Sequence, residues 1–187
     1  MRSFLSYDIE EPTVLAKVRN FQSGLGSIGA DLKLVRPEIL HFTIRFLGEI
    51  TEQEKERIIQ TLEGNVPPLD LEVRFKGIGT FPNDKRISVI WIGSDESSTK
   101  KFEEHARIIN TRLEEQLQTL PREKEDRFNP HVTIARVKTG RRKEELVRFL
   151  QQHKDEDFGS AKIRKLKLKL SDLTPEGPRY SDLHEFT

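Results

Sequence analysis

Apolar positions along this chain repeat with two periods, one of two residues and one of three to four, and the two alternate. From Arg2 to Ile9 the pattern is that of a strand. Leu69, Leu71, Val73 and Phe75 alternate with polar residues, as a half-buried strand requires. Ile87, Val89 and Trp91 mark another strand, and Leu166, Leu168 and Leu170 a last one. Between them lie helical spacings. Pro12 can open a helix with Val14, Leu15, Val18 and Phe21 on its inner face. Thr51 and Glu54 form a capping box for a second helix starting near residue 52. Phe102, Ala106, Ile109, Leu113 and Leu117 define a third, which Pro121 should close. A fourth is expected over about residues 141–152.

Two further strands, near residues 40–47 and 131–137, begin with matching tetrads: His41-Phe42-Thr43-Ile44 and His131-Val132-Thr133-Ile134. The match continues into the helix after each. Lys55, Glu56, Ile58, Ile59 and Leu62 correspond to Lys143, Glu144, Leu146, Val147 and Leu150. Each half therefore reads β-α-β-α-β. Two copies make a two-lobed α+β fold rather than a solenoid. We expect one bilobal domain over 1–187, with pseudo-repeats at about 1–84 and about 85–175 and a C-terminal tail, 176–187.

Composition narrows the picture in three ways. Charged residues make up 34% of the 187 positions, as expected of a soluble, well-ionised surface. The absence of cysteine excludes disulfides and thiolate metal sites. A net charge of +1 does not announce a nucleic-acid binder, so any RNA contact must be local. No signal-like segment or membrane-length apolar run is present, and a cytoplasmic location without membrane contact is expected.

On a strand, residues two apart share a face. His41 and Thr43 then project together, as do His131 and Thr133. An ordinary imidazole pKa of roughly 6.5 lets one histidine take a proton while another gives one. Threonine hydroxyls beside them can stabilise charge building on phosphate oxygens. A lone histidine on a strand is usually structural, but histidines at equivalent places in a duplication are harder to explain that way. Two imidazoles are a poor metal site, since catalytic zinc takes three protein ligands. No metal or other cofactor is expected. His105 is expected beside the apolar stripe of its helix and partly exposed, His153 at a helix C-terminus, and His184 in the tail.

The stretches His41-Phe42-Thr43-Ile44-Arg45-Phe46-Leu47-Gly48 and Phe128-Asn129-Pro130-His131-Val132-Thr133-Ile134-Ala135-Arg136 resemble the paired signatures of the two-histidine (2H) phosphoesterases, in the branch of RNA 2′,3′-cyclic phosphodiesterases, also called 2′-5′ RNA ligases. The strand at Arg2-Ser3-Phe4 and the tail from Ser171 to Tyr180 agree. The resemblance implies two antiparallel sheets facing a central cleft. It implies hydrolysis of an RNA 2′,3′-cyclic phosphate to a 2′-phosphomonoester without metal, with 2′-5′ ligation as a reverse activity. His41 would be the proton donor and His131 the proton acceptor. Thr43 and Thr133 would hold the phosphate. The near-symmetry of the halves does not itself assign the two directions. The implied partner is RNA with a cyclic phosphate end, tRNA halves among the candidates, with binding of a free nucleotide left open; the protein is expected to be a monomer. A non-catalytic RNA- or nucleotide-binding module on the same fold is the alternative, and a metal-dependent hydrolase a third reading.

Four details stay open at this level. Arg136 belongs to the signature, yet strict alternation turns Ala135, not Arg136, toward the His131 face; Arg136 reaches the cleft only if the strand bends. Arg45 shares the His41 face by alternation. Lys165, Lys167 and Lys169 alternate with leucines on an outer face, as a soluble edge strand or an RNA-backbone track. The charged segment from Pro121 to Pro130 is read as a surface loop leading into His131, either covering substrate or only connecting.

Overall fold

The computed structural model describes all residues except 84, 118, 121–128 and 176. The expected closure of the third helix by Pro121, and most of the charged segment before His131, lie outside the described residues.

Nine strands and four α-helices follow one another, among the described residues, as β1 (Arg2–Asp8), α1 (Pro12–Ser27), β2 (Leu32–Leu34), β3 (His41–Glu49), α2 (Glu52–Leu62), β4 (Leu71–Asn83), β5 (Arg86–Ser94), α3 (Glu96–Gln116), β6 (Val132–Val137), α4 (Lys143–Gln152), β7 (Asp157–Ile163), β8 (Leu166–Thr174) and β9 (Gly177–Glu185). A short 3-10 turn, Pro37–Ile39, leads into β3. The α+β class with two antiparallel sheets holds. One sheet runs β3-β1-β8-β9 and the other β2-β6-β5-β4-β7.

The helices start where the local chemistry says they should. Pro12 occupies the first turn of α1. The Thr51–Glu54 capping box closes on both sides at α2, and Asp95 caps α3 by accepting from the Ser98 N–H. Helix α3 packs on β3 and β4 with α2 against it, whereas α1 packs on β6 and β7. Phe42, from β3, stacks on Phe75 of β4 and lies against Phe102 of α3, joining the two sheets through the core. Phe21 of α1 meets Phe149 of α4 and Phe158 of β7.

The sheets do not coincide with the sequence halves. Strand β4 lies between β5 and β7, both from the second half. Strand β8 lies between β1 and β9. The third strand of each half thus completes the sheet of the other. The periodicity missed β2, β7 and β9. The first has only three residues, and Asp157–Ile163 and Gly177–Glu185 are too polar or glycine-rich to alternate cleanly.

Because β8 is an inner strand, the edge-strand reading of its lysines fails. Lys167 and Lys169 are buried. The Lys169 ammonium donates to Asp8 at 2.7 Å and pairs with Asp182 at 3.0 Å. Lys167 reaches Asp8 at 3.0 Å and Asp182 at 3.2 Å, while Lys165 pairs with Glu185. Nor is this an outer face. The pairing of Ser6 with Lys167 and of Phe4 with Lys169 puts both lysines on the side of β1 that faces His41.

Candidate active site

His41 opens β3, and His131 immediately precedes β6; these two strands lie against each other where the sheets meet. Both imidazoles are held the same way. His41 Nδ1 lies 2.8 Å from the carbonyl of Ile39, and His131 Nδ1 lies 2.6 Å from that of Asn129. A carbonyl can only accept, so Nδ1 carries the proton in each ring and the exchangeable position is Nε2. In both cases the carbonyl is two residues upstream.

Each ring also sits between two aromatic side chains. Tyr180 of β9 meets His41 edge-on at 5.2 Å, and Phe4 of β1 lies 5.0 Å away. On the other side Phe81 of β4 meets His131 edge-on at 4.8 Å, and Trp91 of β5 lies 6.1 Å away. The Trp91 indole lies over Gly79, the residue opposite it on β4. None of these four aromatic positions was singled out from the sequence as part of the site. Trp91 was assigned only to a strand, and its neighbours Ile90 and Ile92, not Val89, are the residues fully buried in the core.

Thr43 and Thr133 pair with Ser6 and Trp91 respectively, two residues on from each histidine and on its face. Beyond them strict alternation breaks in both strands. In β1–β3, Leu5 pairs with Arg45 and Ser6 with Thr43, so Ile44 is an extra residue. In β5–β6, Ile90 pairs with Ala135 and Trp91 with Thr133, so Ile134 is extra. Each bulge turns two consecutive residues inward. Ile44 and Arg45 are both buried, as are Ile134 and Ala135. The next residue in each strand then returns to the histidine face. Arg136 therefore comes round to the cleft, where its positive charge acts on both His131 and Tyr180. Arg45, expected on the His41 face, is instead in the core. Its guanidinium donates to the Asn110 carbonyl and side chain at 3.4 and 3.2 Å, and pairs with Glu114 of α3 at 3.4 Å.

Both bulges are anchored from outside the sheet. Arg45 ties one to α3. The other is held by Gln22 of α1, whose buried amide donates to the carbonyls of Ile134 at 2.9 Å and Val35 at 2.7 Å.

Electrostatics separates the two histidines. Burial pushes both pKa values below the ordinary imidazole value, with the Nδ1 hydrogen bond opposing it in each. Beyond that, His41 has the Asp8 carboxylate favouring its charged form, against Lys169 and His131. His131 has Arg136, which disfavours its charged form. Burial also raises the Tyr180 hydroxyl pKa.

The other histidines have structural surroundings. His105 is buried rather than partly exposed, with Nε2 2.6 Å from the Tyr7 hydroxyl. His153 donates from Nδ1 to the Phe149 carbonyl at the end of α4. His184 joins Glu63 at 2.6 Å, tying β9 to the end of α2. Among the described residues no group of three or more histidine, aspartate or glutamate side chains is arranged to hold a metal ion, and no helix is long and apolar enough to cross a membrane.

The family of the AKAP7 2′5′ RNA ligase-like domain matches residues 2–183. A protein of Methanocaldococcus jannaschii named RNA 2′,3′-cyclic phosphodiesterase is 36% identical, with 100% of each chain covered. One of the same name from Archaeoglobus fulgidus is 34% identical, covering 100% of this chain and 99% of its own. The crystal structure of TT0787 of Thermus thermophilus superposes with a TM-score of 0.80 at 26% identity, over 100% of this chain and 97% of that one.

Proposed function

The chain belongs to the two-histidine phosphoesterase family, in its 2′5′ RNA ligase-like branch, and on that footing we propose that it is an RNA 2′,3′-cyclic phosphodiesterase in which His41 and His131 move the protons. The substrate is a ribose whose 2′ and 3′ oxygens share one phosphorus. His131, neutral, takes a proton at Nε2 from water as the water oxygen attacks phosphorus. The P–O3′ bond breaks. His41, charged, gives its Nε2 proton to the departing O3′. The product is a 2′-phosphomonoester, with one proton taken up and one released.

The observation that carries this reading is the pair of Nδ1–H···O=C hydrogen bonds, 2.8 and 2.6 Å long. They leave Nδ1 protonated whether the ring is neutral or charged, so Nε2 is the working atom in both roles. The assignment of acid and base follows from the neighbours. A carboxylate near His41 favours its charged, donating form, and a guanidinium near His131 favours its neutral, accepting form. Thr43 and Thr133 offer hydroxyl donors to the non-bridging oxygens, and Arg136 a countercharge. A 5′-hydroxyl of a second RNA in place of water would form a 2′–5′ phosphodiester, but the abundance of water favours hydrolysis. RNA ends such as tRNA halves carry the same cyclic group.

His41→Ala and His131→Ala should each lower kcat on a nucleoside 2′,3′-cyclic phosphate by about 10²–10⁴-fold. Circular dichroism and the melting temperature should remain near those of the wild type. Activity should persist in excess chelator. Near-normal turnover in either variant, or recovery only on adding metal, would overturn the acid–base pair. Tight binding without turnover by the wild type would instead make the protein a binding module.

A further inference from the structure

The duplication gives the cleft twin positions, and most twins match in kind: histidine with histidine, threonine with threonine, the edge-on ring of Tyr180 with that of Phe81. One pair does not. The fifth residue after His41 is Phe46, and the fifth after His131 is Arg136. The matching bulges at Ile44 and Ile134 return both to the histidine face. A site built on a two-fold must take an asymmetric substrate in one direction, and only unlike twins can set that direction.

Phe46 is 64% exposed, although its neighbours Arg45 and Leu47 are buried. Its ring lies 6.2 Å from that of Phe4, which in turn lies 5.0 Å from His41. An open aromatic face at the end of a row of rings leading to the imidazole is a stacking platform, usable by any base because every base has a π-face. On the reading given under Proposed function, a nucleoside 2′,3′-cyclic phosphate has its anionic group at one end and its base at the other. We propose that Phe46 stacks the nucleobase of the terminal nucleotide while its cyclic phosphate lies between the histidines. Its cationic twin, Arg136, marks the opposite, anionic side. Phe46 thereby fixes the direction in which the substrate enters and makes the enzyme respond to a base without discriminating strongly among bases.

The test compares adenosine 2′,3′-cyclic phosphate with base-free ribose 2,3-cyclic phosphate, using the wild type and the variants Phe46→Ala, Phe46→Leu and Phe46→Trp, each checked by its thermal melt. The wild type should favour the nucleoside by about ten- to hundredfold in kcat/KM. Phe46→Ala and Phe46→Leu should remove most of that preference by raising KM for the nucleoside, leaving the base-free substrate unaffected. Phe46→Trp should keep it. An unchanged preference in the alanine and leucine variants, or a wild type indifferent to the base, overturns the platform while leaving the phosphodiesterase intact. Failure of the wild type to cleave either compound overturns both readings.

Discussion

At Gly79 there is no room for a methyl group. A Cβ there would stand 2.0 Å from the Trp91 indole, which lies across the glycine and also flanks His131. Gly79→Ala must therefore move the indole, with a cost of about 1–3 kcal/mol typical of overpacking. Trp91 is the only tryptophan of the chain, so its fluorescence reports directly on its seat. The emission maximum should shift, and kcat/KM on a nucleoside 2′,3′-cyclic phosphate should fall about tenfold or more as the cage around His131 loosens. An unaltered spectrum with full activity would show that the indole is not needed to place the imidazole. At this scale the sequence was legible where chemistry is declared by residue type. A histidine and a threonine two apart state their own purpose. Trp91, Phe81, Phe4 and Tyr180 do not, because an aromatic residue in a strand is far more often core, and which face it takes depends on pairings that one strand cannot reveal.

Elements were readable as far as their local rules held. The caps and apolar stripes of α1, α2 and α3 appear as expected, since helical periodicity and capping are properties of a few adjacent residues. Strand faces were readable only up to the first bulge. One extra residue at Ile44 and one at Ile134 reverse the alternation, sending Arg45 inward and Arg136 to the cleft. What holds each bulge, Arg45 on α3 and Gln22 on α1, is remote in sequence. Strand β8 gives a second case. Its lysines alternate as surface lysines do, but pairing on both sides makes the strand internal, and their charges are met by Asp8 and Asp182. Removing one ammonium leaves carboxylates short of a partner in a half-enclosed site. Lys169→Met should therefore destabilise the protein by about 2–3 kcal/mol, measured by urea unfolding. A variant as stable as the wild type would show that the ion cluster adds nothing beyond what an apolar side chain can give.

For the molecule as a whole, burial lowers the pKa of three imidazoles, His41, His105 and His131. In the unfolded chain each takes up a proton below about pH 6.5. In the folded protein uptake is delayed to lower pH. The unfolded state then binds more protons across that window, so stability falls as pH drops below about 6.5 and is recovered above it. The slope should be at most about 1.4 kcal/mol per pH unit for each group. His105→Gln, which keeps an acceptor for the Tyr7 hydroxyl but cannot titrate, should flatten the profile between about pH 6.5 and pH 5 relative to the wild type. Equal slopes would remove His105 from the balance. The global arrangement was the least legible level. The order β-α-β-α-β in each half could be counted along the chain, but which sheet receives β4 or β8 is decided by partners some eighty to a hundred and sixty residues away.

That crossing has a consequence for how the molecule can be taken apart. Severed in the hairpin between β4 and β5, the front fragment would hold a strand whose hydrogen-bonding neighbours, β5 and β7, both lie on the back one, and the back fragment would hold β8 with β1 missing from its flank. Neither piece could close its own edges. Each is the other's template, and a lone ancestral unit of this kind would have had to lend its last strand to a sister copy and borrow one in return. The present chain is that exchange made permanent by covalent linkage.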